Sequence, residues 1–330
     1  MSLRKMTFKL AVALTVAGLA APGAMAQSGD LMLYTSQPDK KAAKTVEAFR
    51  EVYPDVKVTI FRSGTVEVMS KLAAEFAGGG SPADVLLIAD AANMESLKAG
   101  GKLYAYTDFD TSGYRAGVID DGKTYFGTKL ITTGIAFNTK AAERPTSWAE
   151  LMGDKYKGQI AMPSPLYSGA AALMLSTIVA RDDLGWKFYE TLANNGAVAV
   201  RGNGAVLKSV AGGEKSYGII VDFMALNEKK KGAPIDFVFP KEGVPAVTEP
   251  VAIIASTGNL EAAKAFVDFL MSDKGQKLAV AQGFIPAKEG MKNPDWLPEG
   301  TPIKLMPIDT NAVLANGAND KKRFAEIFGG

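Results

Sequence analysis

Residues 56–90 read VKVTIFRSGTVEVMSKLAAEFAGGGSPADVLLIAD, and this stretch decides the fold. Apolar residues alternate over 56–60 and predict a strand. A helical apolar pattern follows at positions 68, 69, 72, 73 and 76, and an almost fully apolar run over 85–89 predicts a buried strand. The order of strand, helix and strand is typical of an α/β fold with largely parallel sheets.

The turn between the first strand and the helix of this unit is a candidate anion site. Ser63, Gly64 and Thr65 stand where the helix begins. Free backbone N–H groups and the positive end of the helix dipole attract anions there. A glycine also lets a ligand approach the backbone closely, which a simple helix cap does not require. We therefore expect the turn to hold a small anion, with plain helix capping as the alternative.

The composition disfavours catalysis. The 330 residues include neither histidine nor cysteine, which removes the usual base of a catalytic triad, cysteine nucleophiles and cysteine-based metal sites. A hydrolase that uses serine and lysine is a weaker alternative, because no nucleophile motif stands at a strand–helix turn. We expect a binding protein rather than an enzyme, without a cofactor.

The N-terminal residues 1–26 predict a signal peptide. Basic residues open the segment, an apolar run too short to span a membrane covers 10–21, and Ala-Met-Ala stands at 24–26, so cleavage is expected near Gln27. Removing three of the 37 basic residues leaves 34 against 35 acidic ones. A net charge of about −1 gives no reason to expect nucleic acid as a partner. The predicted signal peptide leads us to expect a periplasmic protein.

The remaining residues, about 300, suit two domains. A buried strand gives way to a polar stretch near 137–140, and another strand begins at Glu249-Pro250. If the chain crosses between lobes at both places, 27–137 and 250–290 form lobe 1 and 138–249 form lobe 2. The segment 291–330 is a loop and a helix that the sequence assigns to neither lobe.

Five segments are similar to one family, and the last of them is the most specific. They are LMLYTSQPDKKAAKTVEAF (31–49), PADVLLIAD (82–90), TTGIAFNT (132–139), SWAELMGDKYKGQIAMPSP (147–165) and NLEAAKAFVDFLMSDKGQKLAVAQGFIPAKEG (259–290).

This chain resembles the periplasmic substrate-binding proteins of ABC importers, in the subgroup of ferric-iron, hexose-phosphate and 2-aminoethylphosphonate binders. The resemblance implies the type II periplasmic binding protein fold. That fold has two α/β lobes with mixed, mainly parallel sheets flanked by helices, and hinge strands join the lobes. It also implies a monomer that closes over its ligand and delivers it to a membrane ABC permease.

Other candidate residues lie at the ends of predicted strands, where open α/β sheets bind ligands. A second strand–turn–helix junction ends in Ser168-Gly169-Ala170, and two such turns in opposite lobes would clamp a phosphate, phosphonate or carboxylate. Helix capping is the alternative for several of these positions. The remaining strand-end candidates are Ser36, Gln37 and Asp90, and the resemblance implies Thr133, on the predicted crossing strand, as a further ligand contact.

Two carboxylates complete the expected site. Asp222 and Glu249 would pair with a ligand ammonium, as in 2-aminoethylphosphonate, or accept hydrogen bonds from sugar hydroxyls. The resemblance to ferric binders would imply an adjacent tyrosine pair near 222, but here the residues are Asp222-Phe223. Iron therefore stays an alternative ligand, with Tyr34, Tyr167 and Asp222 as its candidate ligands.

Overall fold

The computed structural model describes residues 28–89 and 91–329, so the expected signal peptide lies outside the described residues. The strands are β1 (Gly29–Thr35), β2 (Val56–Arg62), β3 (Val85–Leu87), β4 (Tyr125–Gly127), β5 (Lys129–Asn138), β6 (Ile160–Pro163), β7 (Val198–Val200), β8 (Tyr217–Val221), β9 (Ile235–Val238), β10 (Ala246–Val247), β11 (Pro250–Ile253) and β12 (Ile285–Pro286).

Helices alternate with these strands. They are α1 (Asp39–Arg50), α2 (Thr65–Ala77), α3 (Ala91–Ala99), α4 (Gly169–Val179), α5 (Gly185–Asn194), α6 (Asn203–Ala211), α7 (Asp222–Lys230), α8 (Leu260–Met271), α9 (Asp273–Ala281) and α10 (Thr310–Phe328). Two 3-10 turns, Ala149–Met152 and Asp154–Tyr156, precede β6. Within the described ranges, no helix is long and apolar enough to cross a membrane.

The unit predicted from 56–90 forms β2, α2 and β3. Val56 and the apolar face of α2, which includes Val68 and Leu72, are buried. β3 is buried at all three of its positions. Val56 belongs to one core cluster, with Phe49 and Phe266, whereas the apolar face of α2 belongs to another, with Leu86 and Ile88, so the two patterns contribute to different core clusters of the first sheet's side.

The strands form two sheets. The first has the order β2-β1-β3-β11-β4, and the second has the order β10-β5-β8-β6-β7, with β9 and β12 also paired to β5. Pairing is parallel within β2-β1-β3 and within β8-β6-β7. Every antiparallel pair between these strands involves β5 or β11. These two strands begin where the chain passes from one sheet to the other.

Two passages between the sheets, from β4 to β5 and from β10 to β11, lie side by side. The backbone N–H groups of Thr128 and Lys129 donate to the carbonyl oxygen of Thr248 at 3.0 and 3.2 Å. The Thr128 hydroxyl donates to the carbonyl oxygen of Glu249 at 2.8 Å. The second passage falls at the expected Glu249-Pro250, whereas the first falls at residue 128, before the expected 137. The lobe boundaries themselves stay a prediction.

The C-terminal helix α10 packs against α4 and α5, on the second sheet's side, and also contacts α3. Its Phe324 is buried, with its ring centroid 5.7 Å from that of Tyr189. The sequence alone left the position of this segment open, because no local pattern indicates which helices cover it.

Asp84 connects three segments of the first sheet's side. Its carboxylate accepts hydrogen bonds from the Met32 backbone N–H at 2.7 Å and from the Thr257 hydroxyl at 2.5 Å. We predict that Asp84→Ala lowers the free energy of unfolding by about 2–4 kcal/mol, because a buried N–H group loses its acceptor. The exposed Asp108→Ala is the control. Equal urea midpoints for the two variants would contradict this role.

Candidate ligand-binding site

A cavity of about 350 Å³ opens between the two sheets. The parallel strands of both sheets, β1 to β3 and β6 to β8, point their carboxyl ends toward it, which is where α/β sheets bind ligands. Its walls come from the loops and helix starts that follow these strands. The lining residues are Ser36, Pro38, Asp39, Arg62, Gly64, Thr65, Ala89, Ile131, Tyr167, Ser168, Gly169, Ala170, Arg201, Gly202, Asn203, Gly204, Ala205, Val221, Phe223, Met224, Val247 and Glu249.

In the part of the chain that the structure describes, five helices begin at the cavity wall: α1 and α2 on the first sheet's side, and α4, α6 and α7 on the second. Of these, α1, α2, α6 and α7 have no side-chain hydrogen bond at the N-cap. The α4 start is capped by the Ser168 hydroxyl, which accepts from the Ala171 N–H. Each helix start adds N–H groups without intrahelical acceptors and a partial positive charge.

Charged side chains on the wall have both signs. Arg62 and Arg201 supply two guanidinium groups, and Asp39 and Glu249 supply two carboxylates. The Arg62 Nε lies 3.9 Å from the Asp39 carboxylate, whose side chain is 81% exposed, so water screens this pair strongly. Glu249 is buried and forms an ion pair with the buried Lys129. The guanidinium groups and the helix starts therefore favour an anion in the cavity.

The two sides of the cavity touch each other at its rim through Tyr167. A Cβ added to Gly64 would lie 2.6 Å from Cδ2 and 2.7 Å from Cζ of the Tyr167 ring. The Val66 N–H donates to the Tyr167 carbonyl oxygen at 3.4 Å, and Arg201 lies over the ring, 4.6 Å from its centroid. The missing side chain at Gly64 lets the aromatic ring close against the start of α2. The two sides are therefore in contact at this point of the rim.

A second rim contact joins α2 to the loop before α6. The Arg201 Nη2 lies 3.0 Å from the Glu67 carboxylate, and the Ser63 hydroxyl donates to the same carboxylate. These hydrogen bonds and the nearby guanidinium hold the pKa of Glu67 below its usual range. Both side chains of the ion pair are largely exposed, at 70% and 46%, so the pair contributes little to stability.

Comparison with known proteins identifies the family of the chain. Residues 80–311 match the family described as "Bacterial extracellular solute-binding protein". The chain belongs to this family. A relative from Sinorhizobium fredii, named "Probable ABC transporter periplasmic-binding protein y4fP", is 25% identical over 328 residues, covering 96% of this chain and 87% of the relative.

Solved structures show the same fold as this solute-binding protein. The periplasmic binding protein AfuA from Actinobacillus pleuropneumoniae, with fructose-6-phosphate bound, has a TM-score of 0.82 and 23% identity, covering 91% of this chain and 99% of AfuA. Iron-bound HitA from Pseudomonas aeruginosa has a TM-score of 0.77 and 19% identity, covering 89% of this chain and 99% of HitA. The expected two-lobed periplasmic binding protein fold is confirmed.

Most of the sequence-predicted binding residues lie at the cavity of the solute-binding protein. Both predicted helix starts are there, on opposite sides, and the hydroxyl of Ser36 accepts from the Ala89 N–H at 3.2 Å beside them. Their contact with a ligand stays a prediction. The predicted residues that line the cavity are Ser36, Gly64, Thr65, Ser168, Gly169, Ala170 and Glu249.

Four other predicted residues use their polar groups elsewhere and do not line the cavity. Ser63 bonds Glu67, and the Gln37 amide donates to the Glu249 carboxylate at 2.9 Å. Thr133 is buried on β5, where its N–H donates to the Pro245 carbonyl oxygen. The fourth is Asp222. The predicted Asp90 lies outside the described residues.

Asp222 is fully buried at the start of α7 and faces β5. Its carboxylate accepts from the Thr132 N–H at 3.0 Å, from the Thr132 hydroxyl at 2.7 Å and from the Phe223 N–H at 2.6 Å. Burial raises the pKa of Asp222 to about 6, although these hydrogen bonds oppose the shift. The carboxylate thus joins the start of α7 to β5, and it is not the N-cap of α7, which is Val221.

The candidate iron ligands are not gathered in one place. The Tyr34 hydroxyl donates to Glu75 at 2.7 Å inside the first sheet's side, and Asp222 faces Thr132. Only Tyr167 of the three lines the cavity. Across residues 28–89 and 91–329, no group of three or more Asp or Glu side chains is placed to hold a metal ion.

Sequence reasoning missed the third glycine-containing turn, at 201–205. Arg201, Gly202 and Asn203 follow β7 and open α6, and the Asn203 amide donates to the Ser168 hydroxyl at 3.2 Å. The signal was the same as at Gly64, namely a strand followed by glycine and a helix. Arg62 also lines the cavity, although a charged residue at a strand end usually points into water.

The buried Asp222 gives a pH-dependence prediction. Its pKa is about 6 in the folded protein and near 3.8 when unfolded, so the stability that its proton provides is present below pH 3.8 and is lost as the pH rises through 6. The loss should reach about 2–3 kcal/mol by pH 7.

Urea unfolding of wild type and Asp222→Asn between pH 4 and 7.5 measures this effect. Because the variant cannot titrate at this position, the wild-type free energy of unfolding should fall relative to that of the variant as the pH rises. Two parallel curves would contradict the assignment.

Proposed function

We propose that this chain is the periplasmic solute-binding component of an ABC importer and that its cavity binds a small organic anion, either a phosphate ester or a phosphonate. The observation that carries the proposal is the convergence of five helix starts and two guanidinium groups on one cavity. Family membership supports the binding role.

The anion fits the physics of the wall. Helix starts present N–H groups and partial positive charge, which suit the oxygens of a phosphate or phosphonate. Arg62 and Arg201 add planar donors that bind such groups in bidentate fashion. Tyr167 and Phe223 supply apolar surface for the organic part of the ligand.

The size of the cavity favours an organic ligand over a bare ion. A volume of about 350 Å³ lies within the range of roughly 300–1,000 Å³ for small-molecule sites. AfuA, with fructose-6-phosphate bound, shows that a chain of this fold takes a phosphate ester. A sugar phosphate and an aminophosphonate such as 2-aminoethylphosphonate are both candidates by size and charge.

Ferric iron is the second candidate, because HitA shares the fold and is iron-bound. Hard Fe³⁺ needs several carboxylate or phenolate oxygens. The dispersal of Tyr34, Tyr167 and Asp222 counts against it. A hydrolase is the weakest candidate, since the chain has no histidine and belongs to a family of binding proteins.

Transport follows from the closure of the two sides over the ligand. The passages at 128 and 248–249 connect the sheets and are the natural hinge, and Tyr167 seals the rim. Export through the signal peptide over 1–26 would deliver the monomer to the periplasm, where a membrane permease recognises the closed form.

Binding can be tested by isothermal titration and thermal unfolding. Fructose-6-phosphate or ethylphosphonate should raise the unfolding midpoint, since ligand at 100 times Kd stabilises by ~2.7 kcal/mol. Arg62→Met should weaken binding by about 1.5–3 kcal/mol through the loss of a charge-assisted contact.

Arg50→Met is the matched control, because Arg50 is exposed on α1 away from the cavity. Unphosphorylated fructose and putrescine test the need for an anion. Stabilisation by ferric citrate but by none of the phosphorus compounds would reject the proposed ligand class.

Gly64→Ala tests the closed contact. Its Cβ would overlap the Tyr167 ring only when the two sides meet, so ligand affinity should fall by about 1–3 kcal/mol. Gly204→Ala is the control, because Gly204 also lines the cavity and its Cβ would meet nothing within 4 Å. Tyr167→Ala should rescue Gly64→Ala in part. Equal affinities for the two alanine variants would show that the rim contact does not limit closure.

A further inference from the structure

A buried ion pair lies between the two side-by-side passages that connect the sheets. Lys129 begins β5, and Glu249 stands just before β11. Both side chains are 4% exposed, and the Lys129 ammonium contacts the Glu249 Oε2. Glu249 also lines the cavity, so the pair lies at the wall of the ligand site.

The backbone at Glu249 is unusual for a glutamate. Its φ of 40° lies in the left-handed region, where glycine is preferred and other residues are strained. Strain of this kind persists where the surrounding structure requires a particular side chain, and it clusters at functional sites. The position therefore holds a carboxylate at an energetic cost, beside the ligand cavity.

Gln37 links this pair to the charged wall of the cavity. Its amide Nε2 donates to the same Glu249 oxygen at 2.9 Å, and its backbone carbonyl accepts from the Arg62 Nε at 2.7 Å. Its own Oε1 is buried and has no hydrogen-bond partner among the described residues. The arrangement fixes the Glu249 carboxylate against Lys129 and holds Arg62 toward the cavity.

Lys129 changes the balance of charge around the cavity. Within 28–89 and 91–329, four charged residues line the wall, and the charges of Arg62, Arg201, Asp39 and Glu249 sum to zero. With Lys129 included the sum is positive. The charges of Lys129 and Glu249 are buried, where the dielectric is low, whereas water screens the charge of the largely exposed Asp39. Lys129 and Glu249 therefore affect the electrostatic potential in the cavity more than Asp39 does.

A second lysine strengthens the positive field behind this wall. The Lys41 Nζ lies 4.8 Å from the Phe284 ring centroid, and the Lys129 Nζ lies 4.6 Å from it. Lys41 is also 5.0 Å from the ring centroid of Phe223, which lines the cavity. Burial, aided by Lys129, lowers the pKa of Lys41 to about 8, so it remains mainly charged at neutral pH.

We propose that Lys129 determines which ligand charge the cavity accepts: by neutralising Glu249 it excludes ligands with an ammonium group and selects a purely anionic phosphate ester or phosphonate. This inference rests on the proposed function and narrows its substrate class. With Asp222 buried away from the cavity and Glu249 neutralised, an aminophosphonate would find, among the residues that the structure describes, no buried carboxylate free to pair with its ammonium.

The test compares two ligands that differ by one ammonium group. Ethylphosphonate and 2-aminoethylphosphonate are titrated into wild type, Lys129→Met, Glu249→Gln and the double variant. Wild type should prefer ethylphosphonate. Lys129→Met leaves Glu249 unpaired, so the affinity ratio should shift toward the amino compound by about tenfold or more. The double variant should return the ratio to within about threefold of wild type.

Matched variants separate charge selection from a structural role. Lys98→Met removes a lysine from another buried carboxylate, Asp120, away from the cavity, so it should lower stability without changing the ratio. If Lys129→Met does not fold, Glu249→Gln tests the inference in its place. The Glu249→Gln variant leaves the positive charge of Lys129 unneutralised, so the affinity ratio of the two phosphonates should shift further toward ethylphosphonate.

One result would contradict only the role of Lys129, and another would contradict the proposed function as well. An unchanged ratio in folded Lys129→Met, or in Glu249→Gln, would show that the pair only fastens the two passages together, and it would overturn this inference alone. If wild type bound no phosphorus compound at all, the proposed function would fail and the inference with it.

Discussion

The paired passages between the sheets are the constraint on which the rest of the structure depends. Thr128 and Thr248 are hydrogen-bonded across them, and the ion pair of Lys129 and Glu249 is buried in the same place. Breaking one partner of such a pair leaves an uncompensated charge and is costly. With the sheets joined in this way, the carboxyl ends of six parallel strands face one another across the cavity, and the loops and helix starts that follow them form its wall.

The contact between the two sides at the rim depends on small residues. Gly64 and Gly169 lie where the two sides touch: a Cβ at Gly64 would overlap Tyr167, and one at Gly169 would lie 2.8 Å from the Thr65 hydroxyl oxygen. Both glycines also line the cavity. The missing side chains at these two positions thus let the two sides meet where the two predicted turns form the cavity wall.

The fold and part of the candidate site could be predicted from the sequence, because they depend on local patterns. Turn chemistry at Gly64 and Gly169 is local, so strand and helix periodicity placed both turns at the carboxyl ends of strands. Asp222 has the same local pattern, but its carboxylate turns toward Thr132 because β8 pairs with β5, a contact between distant segments. The partnership of Lys129 and Glu249 spans 120 residues and has no local pattern.

We propose that the cavity holds a phosphorus-containing organic anion, and the compound that co-purifies with the exported protein from the periplasm, without added ligand, would identify it. Native mass spectrometry with ³¹P NMR of the denatured extract should show one phosphate monoester or phosphonate per chain, and Arg62→Met should carry less of it. Stoichiometric iron, or a diamine without phosphorus, would contradict the account.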